Sequence, residues 1–283
     1  VGLVNNAQRE HQEFMASVEA TARENGSVLQ ALDADGRAVF PGDDPAHTPI
    51  WRGLAKQRVA FEFGLSEDGL GLGGGQLAVS ASPSAQPEGF ELQIGAVRRS
   101  IRLSIDGAHN VRNALAAAAC AHAAGVTPEA IVQGLEAFRP APGRLVRHRL
   151  AGGAVLIDDS YNANPDSVLA AIALLAERPA PRVLVLGDMG EVGANGPAWH
   201  REVGESAARA GIDHLLLAGT ASIETARAVG SRAEHFGEDV QALAARAAQL
   251  AEPCATLLVK GSRFMRMERV VRALCGQPAA GGH

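Results

Sequence analysis

Apolar positions along the chain keep two different rhythms, and the change falls near residue 140. Beyond it, short apolar runs alternate with segments of helical spacing: "AVLIDD" before a helix from Pro165, "RVLVLGD" before one near His200 to Ala210, then "HLLLAGT" and "TLLVKGS", each before a further helix. Runs that are apolar at every position predict strands buried on both faces. Alternation with helices predicts a parallel sheet covered on both sides, an open doubly wound α/β domain of Rossmann-like type. Ligands of such sheets bind beyond the carboxyl ends of the strands. Asp158 and Asp159 end the first run, Asp188 the second, Thr220 the third, and Lys260 with Ser262 the fourth, so these residues are expected to line one crevice.

Before residue 140 the pattern is mixed. "VGLVNN" reads as a strand, and Phe14, Val18 and Ala22 recur at three- and four-residue spacing, predicting a helix over Glu13–Leu32 with Gly26 near its end. From Asp33 to Ile105 short β-like runs such as "RVAFEFGL" and "FELQIGAV" are separated by Gly/Asp/Pro turns, and "GLGGGQ" reads as a hairpin tip because it lacks both G-x-G-x-x-G spacing and a Lys-Ser/Thr ending. An Ala-rich helix follows from about His109 to Ala124, closed by Gly125, and another begins with Thr127 as N-cap and Pro128 as first helical residue. "RPAPGRL", residues 139–145, is the expected linker, giving domains at 1–140 and 141–283. The chain opens at Val1, directly in a strand-like run, which suggests a fragment with further chemistry encoded upstream.

Composition narrows the classes. With 283 residues, 47% of them apolar, both domains can hold cores, and a net charge of −5 with scattered arginines gives no basic footprint for nucleic acid. Three cysteines without C-x-x-C spacing argue against a zinc or disulfide framework and suit a reducing, cytoplasmic setting. No apolar run approaches the ~18 residues that membrane insertion needs.

The candidate chemistry clusters in a few motifs. In "DDSYNANPDS", Asn164, Pro165 and Asp166 fit a helix start, while Asp159, Ser160, Tyr161 and Asn162 precede the cap and are expected to meet a ligand. "LGDMGE" presents Asp188 and Glu191 at a strand end, where carboxylates hold a hydroxyl, an ammonium or magnesium. "KGSR" offers Lys260 and Ser262 for a carboxylate or phosphate. Asn110 and Asn113 share a helix face, able either to read an adenine edge or to cap the helix, and Arg144 lies in the linker, where it either grips a phosphate or ribose or is a solvated charge. His11-x-Glu13 resembles half of a zinc-deaminase motif, but Cys254 stands alone where two cysteines are required.

Taken in order, "NNAQREHQEF", "DGAHNVRNALAAAA", "PGR", "IDDSYNANPDS", "LGDMGEVG" and "VKGSRFMRME" resemble the later part of the Mur ligases, and among them the UDP-N-acetylmuramoyl-tripeptide:D-alanyl-D-alanine ligases of bacterial peptidoglycan synthesis, over residues 1 to 275. The resemblance implies the last portion of a central ATPase domain followed by the Rossmann-like C-terminal domain. It also implies ATP and Mg2+ as cofactors, UDP-MurNAc-tripeptide and D-Ala-D-Ala as substrates, an acyl phosphate attacked by the dipeptide amine, and a monomeric parent enzyme serving cell-wall growth, cell shape and division. By the same resemblance His11 would bind magnesium, Asn110 and Asn113 would face adenine, and Arg144, Asp159 and Tyr161 would hold ribose and phosphates. Ser160, Asn162, Asn164, Asp188, Lys260 and Ser262 would line the amino-substrate side, with Arg144 and Lys260 as the catalytic cations. Two departures stand out: the family's Lys-Thr P-loop and the Glu that follows it are absent from these residues, and Asn25 occupies the place of a carbamylated Lys. The chain alone is therefore expected to be inactive. Two rivals are a non-catalytic nucleotide-binding or interaction module, and a dinucleotide oxidoreductase, which the missing G-x-G-x-x-G disfavours.

Overall fold

A computed structural model describes residues 1–9, 13–83 and 89–276. The chain forms two compact units, the first from residues 1–8 and Met15–Arg139, the second from Pro140 onward together with Arg9, Glu13 and Phe14. His11 lies outside the described residues.

The first unit contains β1 (Gly2–Leu3), α1 (Val18–Gln30), β2 (Arg37–Pro41), α2 (Thr48–Ala55), β3 (Val59–Leu65), β4 (Val79–Pro83), β5 (Phe90–Ile94), β6 (Val97–Ile101), α3 (Ala108–Ala123) and α4 (Pro128–Ala137). Its six strands lie in sequence order, parallel from β1 to β4 and antiparallel from β4 to β6. Side chains alternate across the sheet, so neighbouring residues of one strand serve opposite cores. Ala38 and Phe40 of β2 pack with Ala22, Leu29 and Trp51 of α1 and α2, whereas Val39 packs with Leu115, Ala118 and Ala119 of α3.

Helix α1 begins at Val18, later than the spacing predicts, because Ser17 is extended and its Oγ accepts the Ala20 N–H at 3.1 Å. Gly26 lies within the helix about one turn before its end at Gln30, near the end as the spacing predicts. A Cβ there would lie 2.4 Å from Leu54 Cδ1, so glycine lets α2 close on α1, and the Trp51 indole N–H reaches the Ala22 carbonyl at 2.9 Å. Helix α2 itself falls in the stretch whose pattern predicts only strands. Eight residues starting with Thr-Pro are too few for periodicity to register, and the tertiary contact of Trp51 decides their state. The "GLGGGQ" turn is closed by a Leu70–Gln76 antiparallel bridge.

The second unit contains β7 (Val146–Arg149), β8 (Val155–Asp159), α5 (Pro165–Ala176), β9 (Arg182–Leu186), α6 (Gly196–Arg209), β10 (His214–Leu217), α7 (Ile223–Val229), β11 (Ala233–His235), α8 (Val240–Gln249), β12 (Thr256–Lys260) and α9 (Glu268–Leu274). Strand order is β11-β10-β9-β12-β8-β7, parallel except for the β7 edge. Leu156, Val183, Val185, Leu216, Leu257 and Val259 pack with α8 and α9, and the alternate residues face the side where α5 packs on β9 and β12. The helix after β12 therefore lies on the opposite face from those after β8 and β9. Loops that leave neighbouring strands in opposite directions open a crevice between them, here on either side of the β12 carboxyl end.

Candidate functional site

The β12 tip is the centre of the second unit's polar cluster. Lys260 is 3% exposed, and a buried ammonium is tolerated only when paired and hydrogen-bonded. Its Nζ lies 2.6 Å from Asp159 Oδ2 at the end of β8 and donates to the Asn162 carbonyl at 3.0 Å. Two residues on, the Ser262 Oγ donates to the Ala163 carbonyl at 2.9 Å and accepts the Gly190 N–H at 2.5 Å. The loops after β8, β9 and β12 are thus fastened together by side chains from β12 and the residues just after it.

Asp188 uses its whole carboxylate inside this frame. Oδ2 accepts the N–H groups of Thr220 and Ala221 at 2.9 and 3.1 Å, and Oδ1 accepts that of Ser222 at 2.7 Å, which satisfies the open amides before α7. Gly219 permits the approach: its φ is +113°, and a Cβ there would sit 2.2 Å from Asp188 Cγ. The turn can therefore offer a ligand its backbone more readily than this carboxylate. Asn164 is also engaged, its Oδ1 accepting the Ser167 N–H at 2.8 Å while the Ser167 Oγ accepts the Asn164 N–H at 3.0 Å, a reciprocal cap that starts α5. Ser160 is buried and bonds Asp158 Oδ1 through both its N–H and its hydroxyl.

Four groups near this frame reach solvent. The Tyr161 ring is 46% exposed, and the Arg144 guanidinium stacks 4.2 Å from its centroid. The Tyr161 N–H donates to the Gly143 carbonyl at 3.0 Å, so "PGR" and "DSYN" are held side by side and Arg144 is aimed along the loop. Arg263 approaches the same ring at 5.9 Å and pairs with Glu268 at 3.4 Å. Asn162 is exposed beside them. A planar cation over an aromatic face keeps its edge N–H groups available to phosphate or carboxylate oxygens.

In the first unit the asparagines at the start of α3 form a row. Asn5 donates to Asn113 Oδ1 at 2.9 Å, Asn113 to Asn110 Oδ1 at 3.3 Å, and Asn110 to the Asp106 carbonyl at 2.6 Å. The amides hold one another rather than the helix's own first amides. Beside them Arg112 pairs with Asp43 at 2.8 Å, and Asn25 donates to the Asn6 carbonyl at 3.1 Å.

Sequence reasoning passed over two features of the second unit, one half-buried and one fully buried. Arg9 donates to Asp166 with its backbone N–H at 2.8 Å and its guanidinium at 2.6 Å, reaches Glu202 at 2.6 Å, and stacks 4.5 Å from the Trp199 ring. Burial, which alone would lower its pKa, is outweighed by these two carboxylates, and the group is held above its ordinary value. His200 is fully buried, with Nε2 3.1 Å from the Met189 N–H. Its place on the α6 face shared with Val203, Gly204 and Ala207 is legible from spacing, but its partner on the β9 loop is not.

Among the described residues no group of three or more His, Cys, Asp or Glu side chains is arranged to hold a metal ion. The nearest candidates are engaged elsewhere, Asp159 with Lys260, Asp188 with the amides before α7, and Asp166 with Arg9. They do not fit a magnesium site on their own. Among the described residues no helix is long and apolar enough to cross a membrane.

Comparison with known proteins agrees with this division. Residues 1–121 match the Mur ligase middle domain, and residues 143–263 match the Mur ligase, glutamate ligase domain. The UDP-N-acetylmuramoyl-tripeptide--D-alanyl-D-alanine ligase of Escherichia coli (strain K12) is 38% identical over 275 residues, covering 96% of this chain and 59% of that protein. The same-named ligase of Haemophilus influenzae is 31% identical, covering 96% and 58%. The crystal structure of MurF from Acinetobacter baumannii superposes with a TM-score of 0.83 at 30% identity, over 96% of this chain and 59% of that one. The chain thus spans about 59% of the length of the relatives it matches.

Proposed function

The chain belongs to the Mur ligase family, and from that premise we propose that it forms the later part of the central domain and the whole C-terminal domain of an ATP-dependent ligase joining D-Ala-D-Ala to UDP-MurNAc-tripeptide. The observation that carries the proposal is the 38% identity to such a ligase across 96% of the chain, with "IDDSYNANPDS", "LGDMGEVG" and "VKGSRFMRME" at the carboxyl ends of β8, β9 and β12. In this reading the tripeptide carboxylate takes the terminal phosphoryl group of ATP. The dipeptide amine then attacks the acyl carbon, an amide C–N bond forms, phosphate leaves, and the amine gives up a proton.

Each residue has a role that its surroundings support. Arg144, exposed and braced on Tyr161, suits the phosphate oxygens, and Asp159 and Tyr161 would hold the ribose. Lys260 fixes Asp159 and the Asn162 backbone, and its positive charge offsets developing negative charge nearby. Ser160, Asn162, Asn164, Asp188 and Ser262 frame the amino-substrate crevice, chiefly by shaping the backbone of its loops. Asn110 and Asn113 exchange their mutual hydrogen bonds for an adenine edge, and the whole enzyme works as a monomer in the bacterial cytoplasm.

The full-length protein should release phosphate only when the nucleotide-linked tripeptide, D-Ala-D-Ala and ATP are all present, with product detected by mass. The 283-residue chain alone should bind the dipeptide weakly and release no phosphate. Vigorous ATP hydrolysis by the chain alone, or ligation of a different amino substrate by the full-length protein, would overturn the proposal.

A further inference from the structure

The β9 loop is fastened in three places, and the one through His200 has no role in the proposed chemistry. Three consecutive residues are clipped to three different elements: Asp188 through its carboxylate to the amides before α7, Met189 through its N–H to His200 on α6, and Gly190 through its N–H to Ser262 after β12. The His200 clip dictates a protonation state. Nδ1 lies 2.9 Å from the Gly196 carbonyl, which can only accept, so Nδ1 carries the proton; Nε2 receives the Met189 N–H, so Nε2 is bare. The imidazole is neutral, in the Nδ1–H tautomer, and fully buried. Its backbone is held as well, since the Thr225 hydroxyl donates to the His200 carbonyl at 2.8 Å and ties α7 to α6.

We propose that His200 is a positioning residue for the amino substrate: its neutral ring fixes the Asp188–Gly190 turn at the height where the turn's backbone meets the incoming amine. The substrate half of this inference rests on the ligase reading above. A side chain with the same reach that lacks the bare nitrogen leaves the Met189 N–H buried without a partner. That strain would be relieved by movement of the turn, and the movement passes through Gly190 and Ser262 to the Ala163 carbonyl at the start of α5.

Two substitutions separate the two ring nitrogens. In H200N the amide N–H occupies the Nδ1 place and keeps the Gly196 bond, but nothing accepts from Met189. In H200Q the longer side chain sets its amide oxygen at the Nε2 place, where it accepts from Met189. In the full-length protein H200N is expected to raise the KM for D-Ala-D-Ala about tenfold, the worth of one buried hydrogen bond, with kcat and the KM for ATP within about twofold; H200Q recovers to within about threefold. Equal loss of thermal stability in both variants with the dipeptide KM unchanged would reduce His200 to a structural residue and overturn the proposal.

Nitrogen NMR of the uniformly nitrogen-labelled chain gives a readout independent of ligation. It should show a protonated Nδ1 and a bare Nε2 for His200, with the Met189 and Gly190 amide signals displaced in H200N and restored in H200Q. An Nε2-protonated ring, or identical amide signals in both variants, would overturn the positioning role. Absence of dipeptide ligation by the unsubstituted full-length protein would remove the ligase reading while leaving this spectroscopic result intact.

Discussion

The asparagine row at the start of α3 and the charged cluster at the tip of β12 are both polar groups gathered at the end of an element, yet they are built to opposite rules. Asn5, Asn113 and Asn110 are neutral, partly open to solvent, and bonded to one another at 2.9 and 3.3 Å. Lys260, Asp159, Asp188 and Ser262 carry charge or sit beside it, and the Lys260 side chain is 4% exposed. An exposed neutral hydrogen bond exchanges with water at little cost, so a ligand can take over such amides. A buried ion pair cannot be half removed, so the β12 cluster holds loops in place, and the groups left open to solvent beside it include Arg144, Tyr161 and Asn162.

Substitution breaks the two regions by very different amounts. K260M removes the ammonium that pairs with Asp159 and should destabilise the second unit by about 3 kcal/mol in urea unfolding, the low end for a broken buried pair because Asp159 keeps 16% exposure. D188A strips three amides of a charged acceptor and should cost about 2 kcal/mol by the same measurement. N113A interrupts the amide row and should change stability by less than about 1 kcal/mol, while weakening nucleotide binding in the full-length protein as measured by calorimetry. A cost for N113A equal to that for K260M would erase the distinction between the two regions.

The smallest effect is a rate. Cys254 is exposed and should be alkylated first. Burial pushes up the pKa of Cys120 on α3, and burial reinforced by the negative charge of Asp158 does so for Cys275 at the end of α9. Raised values delay the thiolate to higher pH, so both should lag at pH 7 and gain on Cys254 as pH rises. In K260M, looser loops should speed Cys275 relative to Cys120, read by mass spectrometry of the labelled peptides.

Much of this was legible in the residues because the second unit is built from repeated strong signals. Continuous apolar runs such as "RVLVLG" admit only a doubly covered strand, and Asn164-Pro165 announces a helix start through backbone chemistry alone. The first unit was harder to read, since α2 is short and Gly26 owes its place to Leu54 and Trp51, residues far along the chain. At the site, spacing pointed to strand ends but not to partners. Nothing in "LGDMGE" tells that Asp188 turns toward the amides before α7, or that His200 answers Met189, because both depend on how separate crossovers stack. Arg9 lies still further from local rules, being held by Asp166 and Glu202 more than 150 residues later.

The order in which the second sheet is threaded has an outcome during biosynthesis. Of the described strands in this sheet β12 is the last to leave the ribosome, yet it lies between β8 and β9 and pairs with both. Until Thr256–Lys260 has emerged, the nascent chain carries two greasy strands whose edges face each other across an empty slot, a template for pairing with a neighbouring polypeptide. Pausing of translation just upstream of that strand should increase insoluble product, and chaperone capture should be strongest over the same window.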